Sequence, residues 1–168
     1  KKDVIEEIRA YFRTELMLDL MLFHGGHERP KLHYIAESVR ENEKDELLHE
    51  RLTQIFQQTN GAGGGIVFAS TRSRVEKFCQ ALAERGWRVD HFHGGRTPDD
   101  KKQAQERFLH GELQVIVATN AFGMGIDKPD VRVVIHADVP GSLENYMQEA
   151  GRAGRDGEDA WCYLLFNE

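Results

Sequence analysis

Two arginines lie three residues apart near the carboxyl end of the sequence, at a spacing that suits chemistry on a polyanion. They belong to the run Gln148-Glu149-Ala150-Gly151-Arg152-Ala153-Gly154-Arg155-Asp156-Gly157, in which glycines separate the charged side chains. A guanidinium group keeps its charge and carries five N–H donors in a rigid fork, so it suits oxygens that gain charge in a transition state. The spacing is typical of an arginine finger, although it also fits a helix end with a glycine cap and two solvated arginines.

Small polar residues and glycines follow three of the predicted strands. They form three groups, which are Ser70-Thr71-Arg72, His93-Gly94 and Thr119-Asn120. Ligands of open parallel sheets gather at the carboxyl ends of the strands. Hydroxyl, amide and backbone N–H donors suit phosphate oxygens, which need close approach but carry no base sequence. Taken singly, each residue is typical of a helix cap or a turn; together and in this order they favour phosphate binding.

The histidines and cysteines do not indicate a metal site. The pairs His24-Gly-Gly-His27 and His91-Phe-His93 have no cysteine or carboxylate at the sequence spacing of a structural zinc site, so we predict no metal ligands. Cys79 and Cys162 lie far apart inside apolar runs, and we expect two buried thiols there.

The elements that must position these residues alternate along the chain. Short apolar runs predict strands over 32–39, 66–69, 89–92, 113–118, 131–136 and 161–166. Apolar residues at helical spacing predict a helix after each of these strands except 113–118, which the 131–136 strand follows, and the last. Val4, Ile5, Ile8, Tyr11 and Phe12 mark one further amphipathic helix at the start of the chain. This alternation predicts an α/β fold, with a parallel β-sheet flanked by helices on both faces.

Helix starts can be located from their capping residues. We expect Ser73 and Glu76 to form a capping box that starts the helix after the 66–69 strand. Thr97-Pro98 should start the next helix and Ser142 the last one. The buried face of that last helix is predicted to carry Leu143, Tyr146, Met147 and Ala150.

Two segments resemble parts of an ATP site without matching them. The run Asn60–Gly65 is rich in glycine, but a Walker loop needs Gly-Lys-Ser/Thr opening a helix after a strand, so we interpret this run as a flexible loop. Asp45-Glu46-Leu47-Leu48-His49 has one residue too many for a magnesium-binding Asp-Glu-x-His box, and we interpret it as a solvated helix face. The phosphate loop and the acidic box of an ATPase are therefore not found in this sequence.

Composition sets the class of protein. The 168 residues suit one domain with a sizeable core, and the net charge of −6 excludes a generic basic coat for nucleic acid. Any contact with nucleic acid must therefore be local, made by a few loop donors. No apolar stretch approaches the roughly 18 residues of a membrane helix, and no signal-peptide pattern appears, so we expect a cytoplasmic protein without membrane contact.

Several motifs, in this order, resemble the second RecA-like domain of superfamily 2 helicases, and most closely the RecQ family of DNA helicases. They are Arg29-Pro30-Lys31-Leu32-His33-Tyr34, Ile66–Arg72, His93-Gly94-Gly95, Val117–Val131 and the arginine run. The resemblance covers roughly residues 23–166. It departs from the family in a small insertion at 24–28 and in Ala69 and Gly95, which replace other small residues.

This resemblance implies a RecA-like domain over residues 23–168. Residues 1–22 would be a helical connector or the tail of an upstream RecA-like domain. It further implies that Arg155 is the arginine finger and that Arg152 is its partner toward the γ-phosphate of ATP. Gln148, Gly125 and Asp127 would bind nucleotide, with the Asp127 carboxylate near the ribose; from the residues alone an Asx turn before Pro129 fits Asp127 equally well.

The polar groups after the strands would, by the same resemblance, grip the sugar-phosphate backbone of single-stranded or forked DNA. ATP and Mg²⁺ would be held mainly by the upstream RecA-like domain, so the present chain alone should not hydrolyse ATP. The full protein would unwind DNA with 3′ to 5′ polarity and serve DNA repair and recombination. We expect the arginine pair to lie at the surface, on the same side of the fold as the strand-gripping loops. A pair in the interior or on the opposite side would contradict the interpretation as a motor.

Two alternatives remain open from the sequence. An RNA helicase domain of the same superfamily would use similar backbone contacts, because these distinguish the sugars only through the 2′-hydroxyl. A non-catalytic, helicase-like domain that binds nucleic acid or protein is the other. The sequence upstream of Lys1 separates this second alternative from a motor, which requires a Gly-Lys-Thr loop and an acidic box there.

Overall fold

The computed structural model describes residues 13, 14, 17, 29–122 and 126–167. Arg13 and Thr14 are helical. The predicted helix face from Val4 to Phe12 and the predicted domain boundary between residues 22 and 23 lie outside the described residues, and they stay predictions.

Strands and helices alternate through the described chain as the sequence predicts. The strands are β1 (Leu32–Ser38), β2 (Gly64–Phe68), β3 (Val89–Phe92), β4 (Val115–Ala118), β5 (Val131–His136) and β6 (Ala160–Phe166). The α-helices are α1 (Lys44–Gln58), which follows a 3₁₀ turn at Glu41–Glu43, α2 (Arg72–Glu84), α3 (Pro98–Leu109) and α4 (Leu143–Ala150). In this part of the chain the helices lack the length and apolarity of a membrane span.

All six strands form one parallel sheet in the order β1-β6-β5-β2-β4-β3. Parallel strands need crossover connections, and helices lie in all of them except the β4–β5 connection, whose described residues contain no helix. Because β2, β4 and β5 are covered on both faces, their residues are buried as continuous apolar runs and do not alternate with polar ones. The predicted α/β fold is confirmed.

The two faces of the sheet have separate cores. One contains Phe108 of α3, Phe122 and Ala150 of α4; the other contains Leu52 of α1 and Phe78 of α2. Helices therefore cover both faces, as predicted. Burial raises the pKa of the Cys79 thiol to about 11 and that of Cys162 to about 12, and both are free thiols. The prediction of a buried thiol is confirmed for Cys162, whereas Cys79 is only partly buried.

The glycine run ends inside the sheet and not before it. Asn60, Gly61 and Gly63 have positive φ and form the predicted loop, but β2 already begins at Gly64. A Cβ at Gly64 would lie 2.9 Å from the ring of Phe108 and 2.9 Å from Cε of Lys128. Glycine is therefore needed here for close packing, which the sequence pattern did not reveal.

Two expectations about helix ends and faces are wrong. The cap of α2 is Thr71, whose hydroxyl accepts a hydrogen bond from the N–H of Arg74; Ser73 lies inside the first turn. On α4, Tyr146 and Ala150 face the core, but Leu143 and Met147 are 75% and 49% exposed. The helix has only eight residues, and its contact with the sheet covers a narrower stripe than the apolar residues would allow.

Replacing Phe108 with alanine tests the core assignment. Its side chain is fully buried beside Phe122 and Gly64, so Phe108→Ala should lower the free energy of unfolding by about 3–5 kcal/mol. Leu143→Ala, at an exposed position, should change it by no more than about 0.5 kcal/mol. Urea denaturation of the 168-residue chain measures both values, and comparable losses in the two variants would contradict the assignment.

Candidate nucleotide and nucleic-acid sites

The three predicted phosphate-binding groups follow strands that are neighbours in the sheet. They come after β2, β3 and β4, and β4 lies between the other two. Hydrogen bonds continue just beyond the strand ends, from the N–H of Ala69 to the carbonyl of Ala118 and from the N–H of Thr119 to the carbonyl of Phe92. The fold therefore brings the groups together at one carboxyl edge.

At this edge Ser70 binds a carboxylate that the sequence analysis did not single out. Its N–H and its hydroxyl both donate to Oδ2 of Asp138, over 2.8 and 2.9 Å. Asp138 follows β5, the neighbour of β2 on its other side. The two Ser70 donors expected to face phosphate are thus engaged by Asp138, and in this arrangement they fix the β2 loop to the β5 loop.

Asp138 is the centre of a charged network that holds the edge. Nε of Arg74 donates to the same oxygen over 2.8 Å, and the ammonium group of Lys44, almost fully buried, lies 3.4 Å from Oδ1 and donates to the carbonyl of Ala137 over 2.7 Å. Burial raises the pKa of Asp138, but the hydrogen bonds from Ser70 and Arg74 outweigh it and leave that pKa below its ordinary value. Asp138 is therefore a charged anchor at neutral pH.

Thr71 and Arg72 are exposed beside this anchor. The hydroxyl oxygen of Thr71 accepts the capping bond of α2, so its O–H remains a donor. Arg72 extends over the Gly94-Gly95 turn, where a Cβ at Gly94 would lie 3.5 Å from Nη2 of Arg72. Arg72 and Gly94, from two of the groups that the sequence assigns to phosphate, thus lie close together at the edge, and the exposed guanidinium adds a cation there.

His93 is buried and acts inside the turn. Its Nδ1 accepts a hydrogen bond from the N–H of Gly95 over 3.1 Å, and its Nε2 lies 3.0 Å from Oε1 of Glu76. Because Nδ1 accepts a hydrogen bond, the neutral ring carries its proton on Nε2, which donates a hydrogen bond to Glu76. Glu76, which was expected to serve as a helix cap, instead fixes the turn that holds Gly94 at the surface.

The same turn contains a group of potential metal ligands. Ligand atoms of Glu76, His91 and His93 lie within 4.8 Å of one another. No carboxylate accompanies these histidines at the sequence spacing of a zinc site, yet α2 brings Glu76 to them. Both ring nitrogens of His93 already take part in hydrogen bonds, one with Glu76 and one with Gly95. These bonds explain why His93 and Glu76 lie close together without a metal ion between them.

Thr119 and Asn120 complete the edge. Thr119 is half-buried in a turn closed by the N–H of Phe122, whereas Asn120 is exposed. Asn120 and Ser70 line a cavity of about 170 Å³ whose other polar walls include His136, Asp138, Asn145 and Glu149. This places the Asn120 amide where it can reach a polar ligand at the strand ends.

The arginine run forms a loop that is bonded to the start of β5. The N–H of Gly154 donates to the carbonyl of Val131 over 2.8 Å, at a positive φ of 57° that favours glycine. Arg132 forms an ion pair with Asp156 and donates from Nη1 to the carbonyl of Asp159 over 3.1 Å. Arg132 is buried, so this pair fixes the far end of the loop to the sheet.

On this loop Arg155 is exposed and forms an ion pair with Asp127. Its Nη1 lies 3.0 Å from Oδ1 of Asp127, whose side chain is 79% exposed. The two residues that resemblance assigns to the nucleotide are therefore in contact. Such a solvent-exposed pair is worth about 1 kcal/mol or less, so a polyphosphate can displace it. Gln148 is exposed at the end of α4, and Gly125 lies outside the described residues.

Arg152 has a different environment from Arg155. Only 8% of it is exposed. Burial lowers the pKa of its guanidinium, the positive charge of Arg155 lowers it further, and Glu149 opposes both effects. The two arginines thus differ in role within the fold, with Arg155 at the surface and Arg152 largely inside the loop.

The two candidate sites lie at opposite ends of β5, contrary to the expectation that they share one side. The phosphate-binding groups are next to His136, where β5 ends, and the arginine loop bonds to Val131, where it begins. Five residue steps separate Val131 from His136, or roughly 17 Å at about 3.3 Å per residue. Helix α4 runs back from the end of β5, where the phosphate-binding groups lie, to the arginine loop. One helix and one strand therefore connect the two sites.

A buried pair joins that helix to that strand. Nε2 of His136 on β5 lies 2.8 Å from Oε2 of Glu149 on α4, and both residues are buried. The rings of Phe68 and Tyr146 pack against the imidazole at centroid distances of 5.2 and 4.9 Å. Neither His136 nor Glu149 was anticipated, because their pairing depends on how α4 folds back over the sheet.

A profile of the helicase conserved C-terminal domain matches residues 43–157. ATP-dependent DNA helicase RecQ of Bacillus subtilis is 46% identical over 129 residues, which are 77% of this chain and 21% of that protein. A protein named putative ATP-dependent DNA helicase Q1 of Caenorhabditis briggsae is 42% identical over 146 residues, or 87% of this chain and 23% of that protein. The chain thus spans less than a quarter of the length of these two relatives.

The fold is shared with solved structures. The DEAD-box protein SrmB of Escherichia coli, in a crystal structure with the regulator of ribonuclease activity RraA, superposes with a TM-score of 0.71 at 29% identity. That superposition covers 81% of this chain and 78% of the SrmB chain. The parallel sheet and its helices are therefore the RecA-like fold of helicase C-terminal domains.

The charged network at the strand edge predicts a pH dependence of stability. Arg74 forms an ion pair with Glu41 and is the largest cause that lowers the pKa of Glu41 from 4.5 to about 2. Because the pKa falls on folding, this stabilisation is present above about pH 4.5 and is lost as the pH falls toward 2. Glu41→Gln should therefore reduce the free energy of unfolding at pH 7 by about 0.5–1 kcal/mol, since the pair is partly exposed.

Urea denaturation of both proteins between pH 7 and pH 2.5 measures this effect. We expect the difference between wild type and Glu41→Gln to shrink as the solution is acidified. A difference that stays constant across this range would show that Glu41 contributes nothing through its charge.

Proposed function

Because this chain belongs to the helicase conserved C-terminal domain family, we propose that it is the second motor domain of a RecQ-type, ATP-dependent DNA helicase with 3′ to 5′ polarity. The observation that carries the proposal is Arg155, an exposed guanidinium on a loop fixed to the sheet, paired weakly with Asp127. Roles in DNA repair and recombination and a cytoplasmic location belong to the proposal through family resemblance alone.

The residues at the arginine loop fit one half of an ATP site. Arg155, Asp127 and Gln148 are exposed at or beside one loop and offer a cation, a carboxylate and an amide. The sequence contains no Gly-Lys-Ser/Thr loop, and the residues resembling an acidic box lie on helix α1, where Asp45 pairs with Lys77 and Glu46 with Arg85. We propose that ATP and Mg²⁺ are held mainly by an upstream RecA-like domain and that this chain alone is inactive as an ATPase.

The side chains of this domain would act by charge and position. Bound ATP supplies the phosphoanhydride bond whose cleavage drives a motor. Arg155 would exchange Asp127 for the γ-phosphate oxygens, where its fork stabilises the charge that develops in the transition state. Asp127, released from Arg155, would approach the ribose, and Arg152 would support Arg155 from inside the loop.

The strand-end groups would grip nucleic acid at the other end of β5. Thr71, Arg72 and Asn120 are exposed donors beside the Gly94 turn, and they suit the phosphates of one strand. The Asp138 and His93 bonds hold the loops that carry them. The two sites lie at opposite ends of β5, which was expected from the sequence to contradict a motor, but β5 and α4 connect them and the relatives are helicases. Closure of the domain on ATP would therefore move the strand-gripping edge together with the arginine loop, and repeated cycles would produce translocation.

Removing the proposed finger is the direct test. In the full-length protein Arg155→Ala should lower kcat for ATP hydrolysis about 10³-fold or more while the Kd for ATP stays unchanged, because the finger acts in the transition state. Arg155→Lys keeps the charge but loses the fork and should also be strongly impaired. Arg40→Ala, which removes an exposed arginine far along the chain from the loop, is the matched control. Normal turnover in Arg155→Ala would refute the proposal.

Whether the bound nucleic acid is DNA or RNA is tested separately. The proposal predicts that single-stranded DNA stimulates the ATPase of the full-length protein and that RNA of equal length competes weakly. The exposed donors described above suit phosphates, which DNA and RNA share, so the assignment to DNA rests on the RecQ relatives. Equal or stronger stimulation by RNA would favour the RNA alternative, and no response to either strand would favour a non-catalytic domain.

A further inference from the structure

Arg29 connects the segment before β1 to the arginine loop. Its Nη1 donates to the carbonyl of Gly151 over 3.0 Å, and its Nη2 donates to the carbonyl of Ala153. These two carbonyls flank Arg152, so a single guanidinium bridges the loop across that residue. The residues it joins are more than 120 positions apart in the sequence.

The backbone of Arg29 is itself held in place. Its carbonyl accepts a hydrogen bond from the N–H of Leu32 over 3.0 Å, which forms a turn at the start of β1. The carbonyl of Lys31 accepts the N–H of Ala160 over 2.9 Å, which ties this turn to β6. The guanidinium therefore extends from a fixed base, and its fork can orient the carbonyls that it binds.

Arg29 lines an open space between this segment and the loop. A cavity of about 230 Å³ lies between residues 29–32 and Gly154, Gly157 and Glu158. Lys31 and Glu158, which also line this cavity, form an exposed pair with 3.3 Å between Nζ and Oε2. The bidentate bond from Arg29 is thus the stronger of the two connections across the gap.

The loop has little freedom at its bend, so a bond to its carbonyls fixes its orientation. Gly154 has a positive φ, and a Cβ there would lie 2.8 Å from the carbonyl oxygen of Glu158 and 2.9 Å from Cβ of Ala160. Arg29 holds the loop before this bend, and the pair of Arg132 and Asp156 holds it after the bend. Arg155 lies between these two attachments.

We propose that Arg29 is a positioning residue, which sets the orientation of the arginine loop relative to the segment that precedes β1. This inference rests on the proposed function, in which Arg155 must meet a phosphate held by the preceding domain. Arg29 is exposed and contributes little to the core, so its effect falls on the loop and not on folding. A displacement of about 1 Å at a catalytic group is enough to lower a rate about a hundredfold.

The first experiment uses the 168-residue chain and does not depend on catalysis. Arg29→Ala should speed amide hydrogen exchange of residues 151–157 about fivefold or more, while exchange in β5 and β6 stays unchanged. Arg29→Lys, which cannot bridge two carbonyls with a fork, should show most of the same effect. Lys31→Ala removes a neighbouring cation from an exposed pair and serves as the control. Unchanged exchange in Arg29→Ala would overturn the inference.

The second experiment measures ATP turnover by the full-length protein. Arg29→Ala should lower kcat about tenfold to a hundredfold without changing the Kd for ATP, whereas Lys31→Ala should stay within about twofold of wild type. If Arg155→Ala abolishes turnover but Arg29→Ala does not lower kcat, the positioning role is refuted and the proposed function stands. If Arg155→Ala turns over normally, the proposed function is refuted, and hydrogen exchange alone decides whether Arg29 orders the loop.

Discussion

The attachment of the arginine loop to the edge of the sheet is the constraint on which the candidate nucleotide site depends. A loop presents a charged side chain at a fixed point only when its own backbone is fixed. Here the N–H of Gly154 bonds to Val131, and Arg132 pairs with Asp156. Two arginines, Arg29 and Arg132, therefore hold the loop, while Arg155 on the same loop stays exposed. Identical side chains serve different purposes because their partners differ: Arg29 binds loop carbonyls and Arg132 binds Asp156, whereas Arg155 forms an exposed pair with Asp127 and a long bond to a carbonyl.

Carboxylates link the two candidate sites into one body. Asp138 joins the loops after β2 and β5, and Glu149 joins α4 to His136 at the end of β5. Both are close to the cavity at the strand ends, and α4 continues from there to the arginine loop. Buried charged and polar groups are costly unless they are paired, so these bonds favour one arrangement of strand and helix. A rigid connection of this kind is what a domain needs if events at one end are to move the other.

Much of the fold could be predicted from the sequence because parallel sheets have a strong local signal. The strands over 89–92 and 131–136 were predicted with their observed bounds, since buried apolar runs and turn residues mark them. The errors have tertiary causes. Gly64 lies in β2 at a point where Phe108 leaves no room for a side chain, and Leu143 is exposed because the short helix α4 touches the sheet along a narrow stripe.

The sequence by itself determined the fold class, the order of its elements and the arginine run, because hydrophobic period, capping residues and motif spacing are properties of neighbouring residues. Only the tertiary structure decided which polar groups meet. Asp138 reaches Ser70, Glu76 reaches His93, and Arg29 reaches the loop more than 120 residues away, through strand order and helix packing. The same packing placed the two sites at opposite ends of β5, since a helix that follows a parallel strand must run back along it.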